Sequence, residues 1–140
     1  MPLRMSVLDE RLCVCRVVAS PSALLRGVGG FEDGSFLSIT RTSDELSIVC
    51  PENEVPEGAK VDGGWRAMKV EDPLDLSMVG VLASITTPLA EAGVCIFVVS
   101  TFDTDYVLVK EANLEEAVSA LEGAGHSVAT SGKSRNTSDK

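Results

Sequence analysis

Two segments in the second half of the sequence carry groups that could bind charged ligands. The stretch STFDTD at residues 100–105 places two carboxylates, Asp103 and Asp105, close to the hydroxyl donors Ser100 and Thr101. Carboxylates of this kind can bind an ammonium group through charge-assisted hydrogen bonds. A helical pattern opens near residues 76–78, where the first backbone amides lack an intrahelical acceptor and attract an anion. The sequence therefore offers one element for a cation and one for an anion.

Both segments also have a structural interpretation. Asp103-Thr104-Asp105 is suited to a hairpin turn, because aspartate side chains bond the amides of their own turn. Asp75 and Ser77 are residue types that cap the first turn of a helix. From the sequence alone, both interpretations of each segment stay open.

Catalytic and metal chemistry have little support. His126 is the only histidine, and we predict that it is an exposed residue at the start of a strand. The cysteines contain no CxxC pair, so the spacing of a metal site is absent. Each lies in an apolar run typical of a strand, which predicts reduced and buried thiols. These cysteines are Cys13, Cys15, Cys50 and Cys95. We predict no catalytic residue, no metal and no cofactor.

The composition excludes several classes of partner. The 140 residues include 12 Lys and Arg against 21 Asp and Glu, a formal charge of −9. Such a surface repels phosphate backbones and anionic lipid, so we predict no nucleic-acid or membrane partner. The uncharged stretch Leu76–Ala90 is too short to span a bilayer and contains Pro88. Charges at residues 9–11 interrupt any secretory signal, and we therefore predict a cytoplasmic protein.

Hydrophobic periodicity in the first half indicates strands and a weak helix. A strand is expected over residues 11–19, followed by a short helical turn at residues 23–26. Strands over residues 36–42 and 46–50 are separated by Ser-Asp-Glu and should form a hairpin. Residues 52–64 are rich in proline, glycine and charge and are predicted to connect two halves.

The second half begins with a clearer strand and helix. Residues 65–71 alternate in polarity, as a half-exposed strand does. Apolar residues then recur at helical spacing from Met78 to Leu89, and Gly93 should end this helix. Pro88 removes an amide from the helix interior, which predicts a kink or an early end nearby.

The remaining elements complete the pattern. Residues 94–101 form an almost continuous apolar run, which predicts a central strand buried on both faces. A partner strand is expected at residues 106–109. A second helix should follow a capping-box-like start at Asn113, and a short strand should follow at residues 127–130. The polar residues 131–140 are predicted to be a disordered tail.

The resulting element order over residues 65–130 is βαββαβ, the split βαβ plan of a ferredoxin-like α+β fold. The first half repeats this order as far as its third strand, with residues 44–49 about 60 residues before residues 103–109. We therefore predict two modules, a degenerate one at residues 1–62 and a complete one at residues 63–130.

The segment MKVEDPLDLSMVGVLASITTPLAEAGVCIFVVSTFDTDYVLV, residues 68–109, resembles the ACT domains of a family of small bacterial ACT-domain proteins. The strings ITTPLAEAGV and STFDTDYVLV carry most of the resemblance. Similar modules occur in the regulatory part of aspartate kinases and in animal cytosolic arginine sensors, which bind arginine between ACT modules. The resemblance implies tandem ACT modules that pair by edges or faces and bind a small amino acid at a module interface.

The resemblance also implies a ligand region. It corresponds here to residues 72–79 and 93–96, together with the acidic positions 103 and 105 that match the arginine sensors. The usual glycine of the ACT loop is replaced by Leu74-Asp75-Leu76, and Gly80 follows a turn later. The predicted ligand-binding residues are Asp72, Leu74, Asp75, Leu76, Ser77, Met78, Val94, Cys95, Ile96, Ser100, Thr101, Asp103 and Asp105.

Two functions follow from these expectations. The first is a regulatory sensor, a homodimer in which an amino-acid ligand stabilises one arrangement and so shifts affinity for a client protein. The second is a protein-interaction or assembly module without a ligand. An enzyme is not expected, because no nucleophile is paired with a base.

Overall fold

A computed structural model describes residues 2–17, 34–72, 74 and 78–130 of the chain. These residues form a mixed α+β structure. The strands are β1 Arg4–Val7, β2 Leu12–Val17, β3 Ser38–Arg41, β4 Leu46–Pro51, β5 Lys60–Val70, β6 Ile96–Ser100, β7 Asp105–Lys110 and β8 Ser127–Ala129. The helices are α1 Val81–Glu91 and α2 Leu114–Gly123, and single 3-10 turns span Glu52–Glu54 and Glu111–Asn113.

The chain divides into two compact units, one inserted in the other. The inserted unit is Arg11–Trp65, and the split unit consists of Met1–Glu10 and Arg66–Lys140. The predicted division into modules at residue 62 stays a prediction. Strand β1, whose residues fall in the predicted first module at 1–62, belongs to the sheet of the split unit. No signal in the four residues of β1 indicated their partner strands.

The split unit has the predicted βαββαβ order, given by β5, α1, β6, β7, α2 and β8. Its sheet order is β6-β7-β5-β1-β8. The additional strand β1 lies between β5 and β8, antiparallel to the first through Met5 and Val70 and parallel to the second. The ferredoxin-like βαββαβ plan predicted for this half is therefore confirmed, with one strand added inside the sheet.

The helices of the split unit cover one face of its sheet. Val81, Ile85 and Leu89 recur at intervals of four along α1 and are buried, as an amphipathic helix requires. Together with the sheet and α2 they form a single apolar core. Its buried members are Leu3, Met5, Val7, Met68, Val70, Val81, Ile85, Leu89, Val94, Val107, Val109, Ala117 and Leu121.

The prediction that residues 94–101 form a central strand is wrong. Strand β6 pairs only with β7 among the described residues and ends the sheet order on that side. Its residues Ile96–Val99 are half-buried rather than buried. A continuous apolar run can occupy a central strand or a partly covered edge strand, and its periodicity does not distinguish them.

Helix α1 begins later than predicted and continues past its proline. Its N-cap is Gly80, which adopts a left-handed conformation with a φ of 86° and so separates the helix from the preceding loop. Pro88 lies inside the helix, which ends at Glu91. The Ser84 carbonyl, which Pro88 leaves without an amide donor, lies 2.9 Å from His126 Nε2. His126 is therefore buried, contrary to the prediction that it is exposed.

The inserted unit has the sheet order β3-β4-β2-β5. The predicted hairpin is confirmed: β3 and β4 pair antiparallel, and the Thr42 amide donates to the Glu45 carbonyl at 2.9 Å. The predicted connector at residues 52–64 is wrong in its second half, where β5 already begins at Lys60. The glycines that suggested a loop, Gly63 and Gly64, lie within this strand.

Some predictions fall outside the described residues. They are the helical turn at residues 23–26 and the tail at residues 131–140. Neither α1 nor α2, nor any other helix in the described part of the chain, has the length and apolarity to cross a membrane.

Candidate functional site

A cavity of about 330 Å³ lies within the split unit, between the start of α1 and the turn that joins β6 to β7. Its size falls in the range of small-molecule sites, which begins near 300 Å³. The residues that line it come from the loop before α1, the first turn of α1 and the β6–β7 turn. They are Leu74, Met78, Gly80, Val81, Leu82, Ala83, Ser100, Thr101, Phe102, Asp103, Thr104 and Asp105.

The β6–β7 turn is held by its two threonines. The Thr101 amide donates to the Thr104 carbonyl at 2.8 Å, and the Thr104 amide donates to Thr101 Oγ1 at 3.2 Å. The Thr104 side chain is buried, and its hydroxyl donates to the carbonyl of Val70 on β5 at 2.6 Å. These bonds fix the turn against the sheet, so the acidic residues beside Thr104 are held in place.

The two aspartates of this turn differ in the hydrogen bonds that their carboxylates make. Asp105 accepts a hydrogen bond from Ser100 Oγ at 2.7 Å, across the last pair of the β6–β7 ladder. The Asp103 carboxylate is exposed and makes no hydrogen bond or ion pair with the described residues, although its backbone carbonyl accepts from Leu74 at 3.1 Å. No lysine, arginine or histidine occurs among the described lining residues. Among the described lining residues, no positive charge balances the Asp103 carboxylate.

The opposite wall is the opening of α1. The Ser84 amide donates to the Gly80 carbonyl at 3.0 Å, which closes the first helical turn. The amides of Val81, Leu82 and Ala83 precede that bond, and Gly80 provides no side-chain cap. The helix amides at the cavity are thus those of residues 81–83, because α1 begins at Val81. The start of α1 and the acidic turn thus line the same cavity.

The structure brings about half of the predicted ligand-binding residues to this cavity. They are Leu74, Met78, Ser100, Thr101, Asp103 and Asp105. Asp75, Leu76 and Ser77 lie outside the described residues. The capping of a helix by Asp75 and Ser77 therefore stays a prediction.

Asp72 does not line the cavity. Its carboxylate accepts hydrogen bonds from the Arg4 amide at 2.8 Å and from Arg4 Nε at 3.0 Å. The Arg4 amide, followed by the Arg4 side chain, lowers the pKa of Asp72 below its usual value. Asp72 therefore joins the end of β5 to β1.

Residues 94–96 also lie elsewhere. Val94 is buried in the core of the split unit, and Ile96 packs against that core. Cys95 is exposed, which contradicts the prediction that every cysteine is buried. It precedes the edge strand β6, where solvent reaches one side.

Sequence reasoning missed several lining residues. Thr104 and Phe102 lie inside the predicted turn, but nothing in their spacing shows which of them is anchored to β5. The helix opening could have been placed at Val81, because Gly80 is the first residue in the region that readily adopts a positive φ.

A second group of reactive residue types lies in the inserted unit. The thiols of Cys13, Cys15 and Cys50 are buried, and the three sulfur atoms lie within 4.8 Å of one another. Burial, together with the Cys13 thiol, raises the pKa of Cys15 to about 12. Burial and the neighbouring Cys13 and Cys15 also raise the pKa of Cys50. The thiols of Cys15 and Cys50 are therefore protonated at neutral pH and are poor nucleophiles. The signal for this cluster was the Cys-x-Cys spacing on a strand.

Comparisons with known families match both units. A family model described as an ACT domain matches residues 60–123, and a model described as an N-terminal domain matches residues 31–58. The crystal structure of protein Atu0741 from Agrobacterium tumefaciens is similar over almost the whole length. The two sequences are 37% identical, and the TM-score of the two structures is 0.82. The similarity covers 94% of this chain and 95% of the Agrobacterium chain.

Two further relatives are more distant. The ligand-free regulatory subunit of aspartate kinase from Thermus thermophilus has a TM-score of 0.64 at 10% identity, over 86% of this chain and 95% of that chain. At this identity the likeness concerns the fold. The human protein CASTOR3P is 27% identical over 92 residues. That match covers 56% of this chain and only 56% of the relative's length.

Proposed function

The chain belongs to the ACT-domain family, and we propose that it is a regulatory sensor whose cavity binds a small free amino acid. One observation carries this proposal: the opening of α1 and the Asp103 carboxylate, which makes no hydrogen bond or ion pair with the described residues, line the same cavity. A free α-amino acid carries its ammonium and its carboxylate on the same carbon atom. The two walls of the cavity offer complementary partners for these two charges.

The carboxylate of the ligand would bind the amides of residues 81–83. These amides have no intrahelical acceptor, and the helix dipole adds positive potential at the same place. The ammonium would bind Asp103, which has no competing partner among the described residues. The hydroxyl of Thr101 and the Ser100–Asp105 pair provide further polar contacts.

The side chain of the ligand would contact the apolar part of the lining. Leu74, Met78 and Leu82 contribute that surface. A cationic side chain would instead be favoured by the second carboxylate, Asp105. The absence of basic groups among the described lining residues disfavours an acidic side chain.

The regulatory part of the proposal concerns the assembly. We infer that the inserted unit is the degenerate first ACT module, since its sheet order β3-β4-β2-β5 repeats the order of β6, β7, β5 and β8 apart from the added β1. The sensor would act as a homodimer in which the ligand stabilises one arrangement and changes affinity for a client protein. A chain of this kind would work in the cytoplasm without a cofactor.

The proposal is tested by thermal unfolding in the presence of each of the twenty amino acids. A ligand at about a hundred times its Kd should stabilise the fold by about 2.7 kcal/mol, which appears as a rise in Tm. The Asp103→Asn variant removes the free carboxylate without changing the size of the side chain. We expect it to fold like the wild type and to lose most of the ligand-induced rise.

Asp44→Asn is the matched control. Asp44 lies in the β3–β4 turn, the equivalent hairpin turn of the inserted unit, and is also exposed. This variant should keep the full rise in Tm. The sensor proposal fails if no amino acid changes the Tm of the wild type, or if both variants respond like the wild type.

The second candidate is an assembly module that binds no ligand. The exposed side chains of Val79 and Phe102, 90% and 78% accessible, favour it, because both are apolar. Phe102 lines the cavity, and Val79 lies between the lining residues Met78 and Gly80. A stable dimer by light scattering that ignores every amino acid, and that dissociates when Phe102 is replaced by Ser, would select this function.

A further inference from the structure

The geometry of the inserted unit brings three thiols together. Cys13 and Cys15 are two residues apart on β2 and therefore point to the same face of the strand. Cys50 lies directly opposite Cys13 in the antiparallel β2–β4 ladder. Cys13 Sγ is consequently 3.5 Å from Cys15 Sγ and 3.9 Å from Cys50 Sγ.

These separations match a three-coordinate metal site. An ion bonded to three sulfurs in one plane, with bonds of about 2.3 Å, holds those sulfurs about 4 Å apart. The three Sγ atoms already lie within 4.8 Å of one another. Small rotations of the side chains would complete the coordination, so the strands need not separate.

From this arrangement we propose that Cys13, Cys15 and Cys50 form a binding site for Cu(I). Thiolate sulfur is a soft ligand that favours Cu(I), and Cu(I) is satisfied by three such ligands. Each sulfur that bonds the ion releases its proton to solvent, so thiol S–H bonds are exchanged for Cu–S bonds. The step needs no oxidant or reductant, because the copper enters and remains as Cu(I).

Zinc fits the site less well. Structural zinc requires four ligands, usually sulfur or histidine nitrogen. The only histidine, His126, belongs to the split unit. Two carboxylates of the inserted unit are already engaged: Glu52 accepts from the Gly64 amide at 2.7 Å, and Glu54 accepts from Ser35 Oγ at 3.1 Å. The described residues thus supply three soft donors and no clear fourth ligand.

The surroundings suit a stable Cu(I) complex. Leu46 and Ile48 are buried in the same apolar cluster, and Ile39 and Val55 pack against it. An apolar shell limits access of water to the metal and controls its redox behaviour. Cu(I) bound here would be protected from oxidation to Cu(II).

The test is anaerobic titration of the full-length reduced protein with Cu(I) in competition with a coloured Cu(I) chelator. We expect one equivalent of Cu(I) to be withdrawn from the chelator. Serine in place of any one of the three cysteines should weaken binding by more than the roughly 100-fold that loss of an outer-shell partner can cost. X-ray absorption of the wild-type complex should show three sulfur ligands, which holds even if a variant does not fold.

Cys95→Ser is the matched control, since Cys95 is exposed and lies outside the cluster. It should bind Cu(I) as tightly as the wild type. The proposal is overturned if the wild type withdraws no Cu(I), if Cys95→Ser is the variant that loses binding, or if X-ray absorption shows fewer than three sulfurs. Tighter binding of Zn(II) than of Cu(I) would equally contradict it.

Discussion

Among single residues, His126 replaces a backbone donor that Pro88 cannot provide. Proline has no N–H, so the carbonyl one turn earlier, that of Ser84, lacks its helical partner. His126 Nε2 lies 2.9 Å from this carbonyl, while Nδ1 accepts from the Leu3 amide at 3.1 Å. These two partners assign the proton to Nε2. One imidazole thus joins α1 to the residue that precedes β1.

Replacing His126 with Ala should destabilise the split unit. The change leaves the Ser84 carbonyl and the Leu3 amide without their partner, and each buried group left unsatisfied costs roughly 1–3 kcal/mol. Urea unfolding followed by circular dichroism measures the loss.

The Pro88→Ala substitution tests whether the His126 imidazole replaces the missing amide donor or stabilises the unit only by packing. The new amide at residue 88 can donate to the Ser84 carbonyl. The substitution should therefore be more favourable in the His126→Ala background than in the wild type, and a double-mutant cycle measures the coupling. Strictly additive effects would show that the imidazole does not substitute for the missing amide.

At the scale of elements, a β-bulge in β5 explains why its glycines resemble a connector. Leu12 pairs with Trp65, whereas Val14 pairs with Asp62, so two steps along β2 correspond to three along β5. Gly63 and Gly64 of β5 lie between these two pairs, opposite a single residue of β2. Gly64 has a φ of 79°. Such a bulge with a left-handed glycine bends the strand without ending it.

Gly64→Ala should cost about 1–2 kcal/mol, the strain of an L-residue in the left-handed region. A Cβ at this position meets no atom within 4 Å, so the cost comes from the backbone and not from a clash. Thermal unfolding of the variant measures it.

Gly123→Ala is the reference for this prediction. Its Cβ also meets nothing within 4 Å, but Gly123 ends α2 without a positive φ. This variant should be neutral or more stable by up to about 1 kcal/mol. If both variants change stability equally, the conformation of Gly64 is not what requires glycine.

At the scale of the molecule, the chain builds a unit from segments far apart in sequence. Leu3, together with Met5 and Val7 of β1, belongs to a core whose other buried members follow residue 66. Residues 11–65 form the inserted unit with its own core. The N-terminal strand is thus part of the unit that contains the candidate ligand cavity.

Hydrogen exchange can test this division with a pair of core substitutions. Met5→Ala and Ile48→Ala each remove a buried side chain, a change that costs about 2–5 kcal/mol in comparable cores. Met5→Ala should accelerate exchange mainly within residues 66–130, and Ile48→Ala mainly within residues 34–65. The division would be incorrect if Met5→Ala accelerated exchange chiefly in residues 34–65.

Much of the secondary structure could be predicted because it depends on neighbouring residues. Alternating and helical periodicity identified β2, the β3–β4 hairpin, both helices and the β6–β7 hairpin. The acidic turn was recognised for the same reason, since aspartate and threonine stabilise turns through local bonds. The resemblance over residues 68–109 added the ACT fold.

The tertiary structure decided what depends on distant partners. The sequence does not reveal that Arg4–Val7 inserts between β5 and β8, because a short strand carries no information about its neighbours. The register of β2 and β4 alone places Cys50 against Cys13. Similarly, His126 is buried because it satisfies a carbonyl 42 residues away. Interactions between residues near in sequence therefore determined the helices, strands and turns. The pairing of backbone groups distant in sequence decided which side chains come into contact.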